Sequence, residues 1–86
     1  MRLSMYSVFD SVANVYGTPF FSQSDAVAKR SFRMLCEDPQ STVSRSLTDY
    51  SLYAIGMFDD ENAQISPNPA ITLVCRAADF MKRSDV

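Results

Sequence analysis

The stretch of this chain that most constrains its fold is DYSLYAIGMFDDENAQI, Asp49 to Ile65, in which two sets of side chains alternate. In an extended chain, one side carries Tyr50, Leu52, Ala54, Gly56 and Phe58, and the other carries Ser51, Tyr53, Ile55 and Met57. The polar run Asp59 to Asn62 then interrupts the pattern before Ala63 to Ile65 resume it. This pattern predicts a β-hairpin with Leu52 and Phe58 in the core.

The N-terminal part predicts a second pair of strands. Leu3 to Phe21 contains two runs of aromatic and β-branched residues, separated by Asp10 and Ser11. Pro19 has no N–H to donate, which places the end of the second run at a sheet edge or beyond its pairing. Phe-Asp begins the turn here, at Phe9, as it does in the hairpin at Phe58.

Two helices are predicted from apolar spacing. The first runs from about Ser24 to Glu37, because Ala28, Phe32, Leu35 and Cys36 recur at helical spacing before Pro39 ends it. Ser22 with Asp25 has the form of a capping box, and Ser24 is a competing N-cap. The polar segment Asp38 to Asp49 is predicted to be a loop.

The second helix is predicted from about Pro69 to Arg83, with Asn68 as its N-cap. Its spacing rests on Ile71, Val74, Cys75, Ala78 and Met81. The expected fold is therefore α+β, with the order β-β-α-β-β-α: a four-stranded antiparallel sheet with both helices on one face. Residues 1–86 are expected to form one small domain.

The composition argues against several kinds of function. The chain has no histidine and only two glycines, which removes His-based catalytic sites and the usual glycine-rich phosphate loops. We therefore expect no enzyme activity and no small-molecule substrate. Cys36 and Cys75 stand alone in apolar patterns, so we expect buried, reduced thiols, with a disulfide as the alternative.

No cofactor, metal ion or membrane contact is expected either. The adjacent acids Asp59, Asp60 and Glu61 have the wrong spacing for an EF-hand and are typical of a solvated turn. The N-terminal residues carry no apolar run typical of a signal peptide, and no segment is apolar enough to span a membrane. These features lead us to expect a soluble protein of the cytosol.

A net charge of −2 means that nucleic acid would have to be bound by a local cluster of cations. Lys29, Arg30 and Arg33 project to one side of the first helix and form the most compact basic cluster. This cluster is either an ordinary solvated helix face or a phosphate-contacting surface, which Arg45 and Arg76 would extend. The candidates for stacking on bases are Tyr6, Tyr16, Tyr50 and Tyr53, and Tyr53 above all.

Several segments together resemble the small non-structural protein of gokushoviruses, the single-stranded-DNA phages of the Microviridae. The resemblance rests on YSVFD from Tyr6, Pro19-Phe20, Asp25-Ala26, Asp38-Pro39, DYSLY from Asp49 and GMFD from Gly56. It implies a DNA-binding protein of the infected bacterium that is absent from the capsid and acts when replication turns to making single-stranded genomes. No catalytic residues come with the family.

The hypothesis from the sequence is a phage non-structural protein that binds single-stranded DNA in the host cytoplasm. Lys29, Arg30, Arg33, Arg45 and Arg76 would contact phosphates, and Tyr50 or Tyr53 would stack on bases. Because the chain is small and 47% hydrophobic, we expect a homo-oligomer that pools the basic patches of its subunits. The alternative is an interaction protein that binds a host or phage replication protein through the apolar hairpin face bearing Tyr53, Ile55 and Met57.

Overall fold

The computed structural model describes residues 1–81 of the chain, which fold into a mostly β structure. This part contains five strands, one α-helix and two short 3₁₀ turns, Leu47–Asp49 and Ala77–Phe80. In chain order the main elements are β1 (Arg2–Asp10), β2 (Val15–Tyr16), β3 (Phe20–Ser22), α1 (Asp25–Glu37), β4 (Tyr50–Asp59) and β5 (Gln64–Arg76).

The strands form one curled antiparallel sheet in the order β2-β1-β4-β5, and β3 also pairs with β1. The long strands β1, β4 and β5 give the molecule an elongated outline of 50 × 24 × 22 Å. Helix α1 packs on one side of this sheet, which we call the inner face. The side turned away from α1 is called the outer face. No helix within residues 1–81 is long and apolar enough to cross a membrane.

The first helix confirms its prediction, with Ser24 rather than Ser22 as the N-cap. The Ser24 hydroxyl accepts a hydrogen bond of 3.3 Å from the Val27 N–H and so satisfies one free donor of the first turn. Ala28, Phe32 and Cys36 form the buried stripe of the helix. Leu35, which was predicted to join them, is exposed.

The second helix was predicted wrongly, and with it the β-β-α-β-β-α order and the four-stranded sheet with two helices. Residues 64–76 form β5, which pairs with β4 from Asp59↔Gln64 to Ser51↔Arg76. The β-branched run around Ile71 fits a strand as well as a helix, and pairing satisfies an edge of β4 that a helix would leave open. Pro69 lies where the pairing is interrupted, so its missing N–H removes no ladder bond. Lys82 and Arg83 lie outside the described residues.

The hairpin was predicted correctly, but the strict alternation along it was wrong. Opposite β1, residue Tyr6 pairs with Ala54 and Met5 with Gly56, so Ile55 is an extra residue that forms a β-bulge. Leu52 therefore faces the core as predicted, whereas Phe58 moves to the outer face. One inserted residue reverses the side on which every later side chain lies.

The two Phe-Asp turns have the same backbone geometry. In the first, Asp10 Oδ1 accepts from the Val12 N–H at 3.0 Å, and in the second, Asp59 Oδ1 accepts from the Glu61 N–H at 3.0 Å. Each turn closes on a residue with φ of 60°, Asn14 and Ala63 respectively. The likeness between these segments in the sequence thus reflects one turn type, in which an Asp side chain satisfies turn N–H groups.

The core lies between α1 and the inner face, and it contains Tyr6 and both thiols. The Tyr6 hydroxyl donates a 2.6 Å hydrogen bond to Asp25 at the start of α1, which ties β1 to the helix. Burial, together with this bond, raises the pKa of Tyr6 to about 12. Cys36 and Cys75 are buried and not joined in a disulfide. Burial raises the pKa of Cys36 to about 11.

Replacing Gly56 by alanine should destabilise the fold, because a Cβ at this position would lie 2.7 Å from the Ser66 carbonyl oxygen. The expected loss in the free energy of unfolding is about 1–3 kcal/mol, as for other overpacked sites. Gly17→Ala is the matched control, since its Cβ would meet only the Val8 carbonyl oxygen at 3.5 Å. Urea unfolding of both variants tests this, and equal stability of the two would contradict the close approach of β4 and β5.

Stability should fall at alkaline pH. Burial raises the pKa of the Cys36 thiol from 9.0 in the unfolded chain to about 11 in the folded chain, so the folded state holds its proton to higher pH. Its contribution is complete below about pH 9 and is lost as the pH rises toward about 11. Urea midpoints measured across this range should decline. The decline should be smaller in Cys36→Ala than in the native chain, and an identical slope would argue against the buried thiol as a cause.

Candidate nucleic-acid interface

The three cations predicted from the sequence lie together on the exposed side of α1. Lys29, Arg30 and Arg33 follow the buried stripe of the helix by one position or more and point away from the core. They line an open groove of about 470 Å³ together with Ala26 and Phe80. We call this site the cationic groove, and its volume lies in the range of known small-ligand sites.

Phe80 forms the apolar wall of the cationic groove. The 3₁₀ turn that carries it is held by buried Ala77 and by Asp79, whose Oδ2 accepts from the Arg76 N–H at 3.0 Å. The ring also packs edge-on against Phe32 of α1, with 6.4 Å between the ring centroids. Phe80 is therefore fixed from both sides while part of its ring stays accessible, as a stacking surface requires.

Arg33 links the two sides of the cationic groove. Its guanidinium carbon lies 5.8 Å from the centroid of the Phe80 ring, within the range of a cation–π contact. Its Nε donates to Glu37 Oε2 at 3.3 Å, one helical turn away. Such an exposed pair contributes only about 0.3–0.5 kcal/mol, so a phosphate can replace the carboxylate at little cost.

The charge of Lys29 also acts on the thiol near the C-terminal end of β5. Burial raises the pKa of the Cys75 thiol, and the positive charge of Lys29 opposes that increase. The side chain of Lys29 is exposed, yet its positive charge acts on the buried Cys75 thiol of β5.

Arg45 and Tyr50 lie outside the cationic groove. Tyr50 lies on the inner face, opposite Asp10 of β1. Arg45 is exposed on the loop after α1 and follows Ser44, which lines a neighbouring groove on the other side of Phe80. Tyr50 packs against the core cluster and is half-buried. Arg45 is therefore exposed but does not line the cationic groove, whereas Tyr50 acts mainly in packing.

Tyr53 and Arg76 lie on the outer face, away from the three cations. Tyr53 pairs with Ser7 and Leu73, one position out of phase with buried Leu52. Its ring contacts Tyr16 at 5.9 Å between centroids. Arg76 pairs with Ser51, which lies on the same face as Tyr53. The sheet therefore separates the predicted stacking residue Tyr53 from the predicted phosphate contacts on α1.

The acids at the hairpin tip bind the N-terminal amine and the N–H groups of their own turn. Asp60 Oδ1 accepts a 2.7 Å hydrogen bond from the N-terminal amine, and Asp59 Oδ1 caps its own turn. Throughout residues 1–81, no three His, Cys, Asp or Glu side chains converge in a way that could hold a metal ion.

Phe80 is the member of this site that the sequence did not reveal. The predicted helix from Pro69 to Arg83 gave it no role, and only a lone aromatic between Arg76 and the Lys82-Arg83 pair marked its position. Its contact with Arg33 depends on the end of β5 returning to α1. That return is a tertiary feature.

The fold and this site define a small, mostly β protein that carries a cationic groove beside its single described helix. The model of one protein family, the phage ORF5 protein, matches residues 3–80. The chain therefore belongs to this family and is a bacteriophage protein. No curated protein and no solved structure matches the chain.

Proposed function

We propose that this phage protein binds single-stranded DNA with little sequence preference. The observation that carries the proposal is the cationic groove, which Lys29, Arg30 and Arg33 line together with the half-buried Phe80. Phosphates would bind the three cations, and a base would stack on Phe80. Backbone charge and stacking do not depend on base identity, which is why little sequence preference is expected.

The open shape of the groove supports a single strand over a duplex. The cations and the ring occupy one side of α1 within a short distance, so an unpaired base and its flanking phosphates can reach both. In a duplex, the faces of the bases are stacked on one another and unavailable to Phe80. With a net charge of −2, the chain has no general attraction for DNA, so affinity must come from this local cluster.

The resemblance to the gokushovirus non-structural protein supports a place for this activity in the phage cycle. We propose that the protein acts in genome replication, or in the switch to single-stranded genome production, in the host cytoplasm and outside the virion. Membership of a phage protein family is consistent with this role.

Removing the three cations should weaken binding and its dependence on salt. The triple variant Lys29→Gln, Arg30→Gln, Arg33→Gln loses three phosphate contacts. The slope of log association constant against log salt concentration should become less negative by about 2, since each single-strand phosphate contact contributes about −0.7. Fluorescence anisotropy with labelled oligonucleotides of several sequences, at low and moderate salt, measures this. An unchanged slope would refute phosphate binding by α1.

Glu37→Gln is the matched control for that variant. It breaks the same ion pair with Arg33 but leaves all three cations in place, so affinity should be equal or higher. A loss of affinity equal to that of the triple variant would mean that the substitutions act through the helix and not through phosphate contact. RNA oligonucleotides of the same sequences, added to the series, distinguish a DNA-specific protein from a general single-strand binder.

Phe80→Leu should reduce affinity while keeping an apolar side chain against Phe32. Base stacking on an aromatic ring contributes about 1–3 kcal/mol, so the dissociation constant should rise by roughly 5- to 150-fold. Phe80→Tyr keeps the ring and should bind like the native chain. Thermal unfolding of both variants checks that the fold is retained. Equal affinity of the leucine and native proteins would remove Phe80 from the site.

A further inference from the structure

The outer face of the sheet is apolar along most of its length and is not covered by the helix. Two aromatic clusters lie on it: Phe9, Tyr16 and Tyr53 around the β1–β2 pair, and Phe21 with Phe58 nearer the hairpin tip. The bulge at Ile55 brings these clusters onto one side, because it moves Phe58 to the face of Tyr53. Both clusters therefore lie on the outer face.

Several large side chains of the outer face are open to solvent. Ile65 is 61% exposed, and Tyr16, Phe21 and Ile71 are each 47% exposed. Ile55 and Ile71, with Tyr16 and Pro19, also line an apolar groove of about 250 Å³ on this face. A large group of exposed apolar side chains on one face of a protein often marks an interaction site.

We infer that the outer face is the interface of a homodimer, in which a second copy of this chain covers it with its own outer face. The sheets would pack about 10 Å apart, as in β-sandwiches, with one α1 on each outside surface. The contact would be isologous: where one residue of the first copy contacts a second residue of its partner, the same two residues also meet with the copies exchanged.

Charge favours a second copy over other occupants. Within residues 1–81, strand register places one charged side chain on this face, Arg76, and it lies at the end of β5. A nucleic-acid strand lying along the face would have almost no cations to pair with its phosphates. A charged protein partner would likewise have almost no opposite charges to pair with. A face without charge along its middle can meet itself without repulsion.

The area also suits a dimer. Strand β4 has 10 residues, so with β1 and β5 beside it the paired region is roughly 33 Å long and about 15 Å wide, or on the order of 500 Å². Two such faces bury on the order of 1,000 Å², the lower limit for a specific interface. Both cationic grooves would remain accessible on the outside of the dimer.

The test is the mass of the native chain in solution, measured without nucleic acid by sedimentation equilibrium over a range of micromolar concentrations. We expect a species of twice the 9.6 kDa chain mass that dissociates on dilution. A monomer at every concentration would overturn the inference and leave the face to a different partner. Because no DNA is present, this result does not depend on whether the cationic groove binds DNA.

A pair of variants locates the interface. Ile71→Lys with Leu73→Lys places two charges on the outer face and should give a monomer. Val27→Lys with Met34→Lys adds the same charge at exposed positions of α1 and should stay dimeric. Circular dichroism verifies folding of both. A folded Ile71/Leu73 variant that remains dimeric, or an α1 variant that dissociates, would also overturn the inference. If the Ile71/Leu73 variant does not fold, the native mass alone decides.

Discussion

Strand β4 hydrogen-bonds to a neighbour along both of its edges, and the other elements take their positions from it. Pairing with β1 on one side and β5 on the other satisfies the backbone N–H and C=O groups of this strand, which would otherwise need water as their partner. The bulge at Ile55 interrupts this pairing and divides the strand into two parts with opposite phase. Leu52 therefore builds the core, whereas Phe58 contributes to the outer face.

This central strand separates the molecule into two surfaces with different chemistry. The inner face binds α1 and so places the cationic groove, with Arg33 beside Phe80, at the end of the sheet. The outer face collects aromatic and aliphatic side chains and almost no charge. In the two proposals above, single-stranded DNA binds at the first surface and a second copy of the chain covers the other.

The parts of the fold that the sequence predicted are those fixed by local contacts. Ser24 begins the helix because its hydroxyl reaches the first turn, and Asp10 and Asp59 form turns with their own neighbours. The helix predicted from about Pro69 to Arg83 was wrong up to Arg76, since these residues belong to strand β5. The apolar spacing of this segment fits a helix, and its β-branched residues fit a strand. The open edge of β4 decided between the two, and that edge lies in another segment of the chain.

The candidate site divides in the same way. The clustering of Lys29, Arg30 and Arg33 follows from helical geometry alone, so the sequence determined it, as it determined the hairpin and the buried thiols. The sequence did not determine that Tyr53 lies on the opposite side of the sheet from these cations, or that Phe80 joins them. Those placements depend on strand register, on one bulged residue and on the return of β5 to α1, because contacts between distant segments carry no periodic signal in the sequence.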